Sequence, residues 1–227
     1  PIIRIQIMTK TLKSVITIAT AAAFAAPAVA DDLEEIDLEF PKPMFVGTPV
    51  AAKRDNLEKP DPSKVIKKIK VPKGSTNLAK EKDVTSSDDF PIIGELEMVT
   101  DGDKDGADGS FVELGPEKQW VQIDLGKESE LHYVVMWHFH KNARAYDDVV
   151  IQISNDADFA DGVTTIYNND HDNSSGLGKG EDLAYIETNH GRVVAAEGKK
   201  GQFVRLYSAG NTANELNHYI EVEVWGK

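Results

Sequence analysis

The residues best suited to bind a metal ion lie in one short acidic run, Asp101-Gly-Asp-Lys-Asp-Gly106. Its carboxylates occur at alternate positions, and its glycines permit a tight turn. Ca²⁺ takes roughly six to eight oxygen ligands, which such a loop supplies from side chains and carbonyls. An EF-hand is not predicted, because Val112 stands at the twelfth position and no helical pattern flanks the run. The run predicts a calcium loop with Asp101, Asp103 and Asp105 as ligands; the alternative is a solvated acidic turn.

Two histidines form a second candidate site. His138-Phe-His140 places two imidazoles on one face of a strand, because side chains alternate with a period of two. This spacing can chelate zinc or copper if the fold brings in a further ligand, such as His132, His171, His190 or His218. The alternative is that these histidines form hydrogen bonds or face an organic ligand.

A polar insertion, Asn168 to Gly180, carries three glycines in alternation near its end. It predicts a loop. Phosphate binding by Gly-x-Gly-x-Gly needs a strand before it and a helix after it, and neither pattern is present. A flexible loop, a ligand lip, and a second calcium site built with Asp170, Asp172 and Asp182 all remain open.

Composition excludes several classes of protein. The chain has 227 residues and a formal charge of −13, which makes nucleic acid and anionic membrane surfaces unfavourable partners. Cysteine is absent, so the fold has no disulfide and no thiolate for catalysis or metal binding. The Gly-x-Ser-x-Gly and His-Glu-x-x-His patterns of common hydrolases are also absent. An enzyme is therefore not predicted.

The N-terminal part has the pattern of an export signal. Lys10 and Lys13 precede an uncharged run, and Ala28-Val-Ala30 fits a signal-peptidase site. We expect residues 1–30 to comprise upstream residues and a signal peptide that is cleaved after Ala30. The mature protein would be periplasmic or extracellular, with no membrane insertion after cleavage; the alternative is a retained anchor.

The next segment, residues 31–74, mixes prolines, acids and lysines with scattered apolar residues. This composition predicts an irregular tether. The alternative is a segment that packs beside the following domain or docks a partner.

Short β-strands must position these groups. Apolar and polar residues alternate in Trp120–Gly126 and in Tyr219–Gly226, so one face of each strand can enter a core. Both runs end at a glycine, which predicts a strand end. Further runs rich in β-branched and aromatic residues are His132–His138, Asp148–Ser154 and Gly201–Ser208.

The order of these motifs resembles that of the discoidin domain (coagulation factor type C), within the galactose-binding-like superfamily. The resemblance covers residues 75–227 and implies an all-β, antiparallel jelly-roll β-sandwich. It rests on Asn77-Leu-Ala79, Val84-Thr-Ser-Ser87, Val99-Thr-Asp-Gly102, Trp120 to Gly126, Tyr146 to Asp156, Phe203-Val-Arg-Leu206 and Glu221-Val-Glu-Val-Trp-Gly226.

The resemblance also implies two sites. Many relatives hold a structural calcium between the loop after Val-Thr-Asp-Gly and a glutamate of the last strand, which here is Glu221, with Ser110 as a further oxygen donor. Carbohydrate-binding relatives grip a sugar with a histidine, an arginine, an asparagine and an aromatic ring. The matching candidates are His140, Asn142, Arg144 and Tyr146.

The arginine and asparagine are not spaced as in a typical galactose binder, so the sugar stays open. The alternative is that Arg144 pairs with Asp147 or Asp148 and Tyr146 packs into the core. His138, His171, Asn211 and His218 are further candidates, expected to face the same end of the sandwich.

Together the patterns predict an exported, non-catalytic module that binds a carbohydrate or glycoconjugate and carries a structural calcium. One alternative is a protein-interaction subunit of an envelope or extracellular complex. Another is a small metalloprotein that uses His138 and His140.

Overall fold

The computed structural model describes residues 32–43 and 53–227, and nearly all regular structure in them is β-strand. Two short 3₁₀ helices, Pro62–Lys64 and Leu96–Thr100, are the exceptions among these residues. The predicted signal peptide lies outside the described residues. Within them, no helix has the length and apolar character needed to cross a membrane. The strands are β1 (Leu33–Asp37), β2 (Lys68–Pro72), β3 (Thr76–Asn77), β4 (Val84–Ser86), β5 (Val112–Leu114), β6 (Gln119–His138), β7 (Val150–Ser154), β8 (Thr164–Asn168), β9 (Arg192–Ser208) and β10 (Asn217–Gly226).

Two long strands, β6 and β9, run through both layers of a β-sandwich. The first half of β6 pairs with residues 203–208 of β9, and β4, β7 and β8 extend that layer. The second half of β6 pairs with residues 192–201 of β9 and with β10, which also pairs with β3 and β5. All these pairings are antiparallel. The predicted all-β, antiparallel sandwich is confirmed.

The glycine predicted to end a strand instead bends one. Gly126 has a φ of 84°, and the β6–β9 register shifts between Asp124 and Ser129. Glycine reaches positive φ without steric cost, so the strand turns into the other layer and continues to His138. The runs predicted as two strands are therefore the two halves of β6.

The main core lies between the two layers and comes from the alternating apolar positions. Val121 and Ile123 project into it from the first half of β6, and Val134 and Met136 from the second half. Val222 and Val224 of β10 join them, along with side chains of β7 and β9. Each layer thus uses one face for this core, as the alternation predicted.

A second, smaller core covers the outer face of the β10–β6 layer. Val135 and Trp137 project outward from β6 and meet Ile69 and Val71 of β2, all of them buried. β2 pairs with β1 through five antiparallel residue pairs. In β2, apolar residues alternate with Lys68 and Lys70, so its apolar face can cover Trp137.

The structure thus differs from the irregular tether predicted for residues 31–74. The described residues, 32–43 and 53–227, belong to one compact unit that is not divided at residue 75. The alternative of a segment that packs beside the domain describes the structure better. The physical reason is burial, because Ile69 and Val71 cover apolar surface that would otherwise face water.

A strap, defined as residues 53–66, continues this packing across the loops. Leu57 forms an isolated parallel bridge with Ala184, and the Glu58 amide donates to the Ala184 carbonyl at 2.8 Å. The Asn56 side chain donates to the carbonyl of Asn169 at 2.8 Å. The strap is therefore fixed at two points of the long loop between β8 and β9.

Replacing Ile69 tests whether the N-terminal segment belongs to the fold. Ile69 is 1% exposed, so Ile69→Ala should lower the free energy of unfolding by about 3 kcal/mol through lost burial and a cavity. The measurement is denaturant unfolding followed by tryptophan fluorescence. Ile66→Ala is the control, because Ile66 is 46% exposed and should cost far less. Equal, small losses in both variants would contradict the packing described.

Candidate functional site

The candidate residues lie at one end of the sandwich. There the start of β6 pairs with the end of β9, and the end of β6 pairs with the start of β9. We call this the loop-bearing end, formed by residues 115–118, 139–149, 169–191 and 209–216. Antiparallel pairing brings these four loops together, because each precedes or follows a strand end on the same side. The sandwich therefore positions the predicted site residues near one another.

A buried chain of polar groups occupies the interior beneath these loops. The Tyr146 hydroxyl lies 2.9 Å from His218 Nδ1, and His218 Nε2 lies 2.9 Å from Glu113 Oε2. His138 stacks on Tyr146 with ring centroids 4.3 Å apart, and its Nδ1 lies 2.7 Å from Glu187 Oε1. All but Glu113 are buried. The fold thus brings three predicted site residues, His138, Tyr146 and His218, together inside the protein.

Burial controls the protonation of the side chains in this buried network. Desolvation, with smaller contributions from Arg144 and His138, lowers the pKa of His218 to about 3. Desolvation also raises the pKa of Glu113. His218 is therefore neutral at pH 7, which suits a tautomer that accepts from Tyr146 at Nδ1 and donates to Glu113 from Nε2.

Arg144 also lies inward. It is 6% exposed, its guanidinium lies 4.5 Å from the centre of the Phe139 ring, and it donates twice to Asn142 Oδ1. Asp147, the alternative partner, instead accepts from Arg54 at 2.6 and 2.7 Å. Tyr146 packs into the core, as the alternative interpretation held. Of the residues predicted to bind a sugar, His140, Arg144 and Tyr146 are thus buried, and Asn142 is exposed.

The two histidines of His138-Phe-His140 do not share a metal site. His138 Nδ1 contacts Glu187, whereas His140 Nε2 lies 2.9 Å from the Lys104 carbonyl. In residues 32–43 and 53–227, the one group of three candidate ligand atoms within 4.8 Å of one another comprises Asp148, Asp170 and Asp172. The geometry gives no support to the His138–His140 metalloprotein interpretation.

That aspartate group organises the long polar loop. Asp170 is fully buried, and its oxygens accept from the amides of Ser174 and Ser175 and from the Ser175 hydroxyl. Asp182, predicted to join it, instead accepts from the Asn168 amide at 2.7 Å. His171 Nε2 lies 2.8 Å from the Asp182 carbonyl. The insertion is a hydrogen-bonded loop.

An open cavity of about 660 Å³ lies beside the buried network, at the surface. The loop 209–215 forms one wall, and Pro116, Glu117, Asp147 and Arg54 form the others. Asn211 is the one predicted ligand residue in this lining. Its amide donates to Asn214 Oδ1 at 2.7 Å and to the Leu216 carbonyl at 2.8 Å, so it fixes the shape of the wall.

Sequence reasoning missed Arg54 at this cavity. Arg54 lies 93 residues before its partner Asp147, and no sequence signal connects them. The nearby loop that carries the exposed Phe90 is hydrogen-bonded to Gly115, since Asp88 accepts from the Gly115 amide at 2.8 Å, but Phe90 does not line the cavity.

The acidic loop and the last strand meet as the resemblance implied. The Gly102 amide donates to Glu221 Oε2 at 3.0 Å. Asp101 accepts from the Asp103 amide at 2.7 Å, and Asp103 accepts from the Asp105 amide at 2.9 Å, so the loop is a series of tight turns. Lys104 forms a 2.5 Å ion pair with Glu223, next to Glu221 on β10.

One carboxylate oxygen of Glu221, Oε1, lacks a hydrogen-bond partner among the described residues. The Glu221 side chain is fully buried. Desolvation raises its pKa to about 8, and Asp101 adds to the shift. A buried carboxylate oxygen beside other carboxylates fits a bound cation. Asp103 and Asp105 are exposed on the same loop. The backbone amide of Ser110 donates a hydrogen bond to the Ala107 carbonyl at 2.8 Å, which fixes the position of Ser110.

Comparison with known proteins gives structural neighbours only. No protein-family model matches the sequence, and no curated protein matches it. CBM32 of AlyQ, solved in complex with 4,5-unsaturated mannuronic acid, is 18% identical over 63% of this chain and 92% of its own, with a TM-score of 0.47. A Streptococcus pneumoniae fucose binding module, SpX-3, is 21% identical over 66% of this chain and 96% of its own, with a TM-score of 0.49.

A chitosan-binding module from a Paenibacillus sp. IK-5 chitosanase/glucanase is 22% identical over 66% of this chain and 99% of its own, with a TM-score of 0.43. CBM32 and fucose-binding modules are galactose-binding-like β-sandwich domains, the superfamily that the sequence motifs resemble. At these identities and TM-scores, the neighbours carry no information on what this chain binds.

The buried histidine predicts loss of stability in acid. Because the folded pKa of His218 lies below its ordinary value of 6.5, the unfolded chain takes up the proton first. Stability from this residue is present above pH 6.5 and is lost towards pH 3, by up to about 1.4 kcal/mol per pH unit. His218→Gln should flatten that slope in denaturant titrations, whereas His171→Gln should not. Identical slopes in wild type and His218→Gln would refute the assignment.

Proposed function

We propose that the chain is a non-catalytic carbohydrate-binding module and that the sugar occupies the open cavity at the loop-bearing end. The observation that carries this proposal is the cavity itself, about 660 Å³ in volume, with loop 209–215, the Arg54–Asp147 pair and Glu117 in its walls. Pockets of this size suit a mono- or disaccharide.

The lining has the chemistry that sugars require. The Arg54–Asp147 pair sets a donor and an acceptor side by side, and Asn214 adds an amide at the opposite wall. Such groups read the positions of hydroxyls. This polar lining favours a ligand rich in hydroxyl groups, such as a carbohydrate.

Binding without catalysis is supported by the burial of the histidines. His138, Glu187 and His218 are buried and hydrogen-bonded to one another or to neighbours. Of the acids in the cavity lining, Asp147 is paired with Arg54, whereas Glu117 and Glu215 form no salt bridge with a described residue. Export to the periplasm or the extracellular space agrees with a glycan partner and forms part of this proposal. An envelope protein partner stays a sequence prediction.

We also propose a structural calcium ion at the acidic loop. Glu221 and Asp101 supply carboxylates, Asp103, Asp105 and Ser110 lie on the same loop, and the buried Glu221 Oε1 supports the assignment. The ion would pin the loop to β10 by neutralising Glu221. It takes no part in sugar chemistry.

Removing Arg54 tests the sugar site. The strongest ligand on a glycan array should bind Arg54→Gln roughly tenfold more weakly in calorimetric titration, because the charged donor of the lining is lost. Glu117→Gln should also weaken binding by removing a carboxylate acceptor from the lining. The control is Leu183→Ala, because Leu183 is 44% exposed and does not line the cavity. Absence of binding to every glycan on the array, or wild-type affinity in both variants, would refute the proposed function.

Removing calcium tests the metal site. Chelator should lower the melting temperature of wild type by several degrees, and added Ca²⁺ should restore it, since a ligand that binds only the folded state stabilises it. Glu221→Gln should abolish this response, because it keeps the side-chain shape but removes the charge. Asp89→Asn is the control, as an exposed acid outside the loop. A melting temperature indifferent to chelator would rule out a structural calcium.

A further inference from the structure

A second cavity lies between the strap and the loop that leads into β9. Its volume is about 520 Å³, within the range of small-molecule sites. Much of its lining is apolar, although the strap is a lysine-rich segment. Ile66 is 46% exposed there, which is costly for a side chain of that size unless something covers it. The apolar lining comprises Pro60, Pro62, Val65, Ile66, Ile186 and Val193. We call this cavity the strap groove.

The strap groove is surrounded by positive charge in an acidic protein. Residues 53–73 contain eight basic and three acidic residues, whereas the whole chain carries −13. On β2, Lys68 and Lys70 are neutralised by acids of β1. Lys59 and Lys64, which line the groove, form no salt bridge with any described residue. The groove therefore presents two exposed ammonium groups with no acid bound to them.

The acids in the lining are already engaged. Glu58 accepts from Arg192 at 2.9 Å, and Asp61 accepts from the amide and hydroxyl of Ser63 at 3.0 and 2.6 Å. Arg192 is itself held against the Tyr185 ring, with its guanidinium 4.6 Å from the ring centre. The serine bonds leave Asp61 charged, and it interacts with Lys64. With Glu58 paired to Arg192, the lining has three cations (Lys59, Lys64 and Arg192) and two anions (Glu58 and Asp61), a net charge of +1.

Tyr185 adds an aromatic wall to the groove. It lines the groove and is 5% exposed, and its buried hydroxyl interacts with the Glu187 side chain.

We propose that the strap groove binds a small amphipathic carboxylate, with its apolar body against Ile66 and Val193 and its carboxylate beside Lys59 and Lys64. Charge complementarity favours the anion, because the three cations of the lining outnumber its two acids, one of which is paired with Arg192. The enclosed volume and the apolar wall favour a compact hydrocarbon body over a hydrated glycan. This ligand differs from the carbohydrate proposed for the other cavity.

Titration with decanoate tests this inference on the full chain. Decanoate should bind saturably at one site by calorimetry, several-fold more tightly than decan-1-ol and far more tightly than decyltrimethylammonium. Raising the salt concentration should weaken the binding of decanoate but not that of decan-1-ol, because only the anion interacts electrostatically with the lysines.

Two exposed substitutions separate the apolar and charged contributions. Ile66→Gln should lower the affinity for decanoate and for decan-1-ol by about tenfold each, because both ligands contact the apolar wall. The double variant Lys59→Gln/Lys64→Gln should weaken decanoate alone. Ile92→Gln and Lys127→Gln are matched controls, since Ile92 is 56% exposed and Lys127 is exposed, and neither lines the groove.

The outcomes are decisive in each direction. Absence of saturable decanoate binding, equal affinity for the alcohol, tighter binding of the ammonium probe, or equal losses in the controls would each overturn the inference. Glycan affinity measured on the same variants should stay unchanged, so failure here is distinguishable from failure of the proposed function.

Discussion

The pairing of β6 with β9 is the interaction on which the rest of the structure depends. The two strands pair on both sides of the register shift at Asp124–Ser129, so one ladder of hydrogen bonds belongs to both layers. The passage of these two strands from one layer to the other needs glycine at close-packed positions. A Cβ at Gly201 would lie 2.3 Å from Ile153 Cγ2, and Gly126 has a φ that other residues rarely adopt. Because both layers share these strands, every loop at the loop-bearing end is positioned by the same ladder.

The polar interior follows from that arrangement. Where β6 and β10 approach their ends, the core contains His138, Tyr146 and His218 instead of aliphatic residues. Hydrogen bonds to Glu187 and Glu113 compensate most of the cost of burying them. Buried groups with such bonds fix one arrangement of the loops above them. The network that the sequence suggested as a sugar grip thus supports the wall of the cavity instead.

Alternation of apolar residues was enough to predict most strands, because burying one face of a sheet leaves a period of two in the sequence. It could not show that β6 continues through Gly126, since a glycine can end a strand or bend it. The Glu221 contact with Gly102 was predictable only through the resemblance. The Arg54–Asp147 pair was not, because contacts between distant segments leave no local pattern. Likewise, the sequence of residues 139–146 shows their polarity but not whether they face inward.

The strap contributes to both cavities. Arg54 contributes to one cavity and Glu58 to the other, four residues apart on one segment that crosses the sandwich. A chain that began at residue 75 would keep the β-ladder but would leave both cavities without one wall. The shapes of the two cavities therefore depend on the strap as well as on the sandwich.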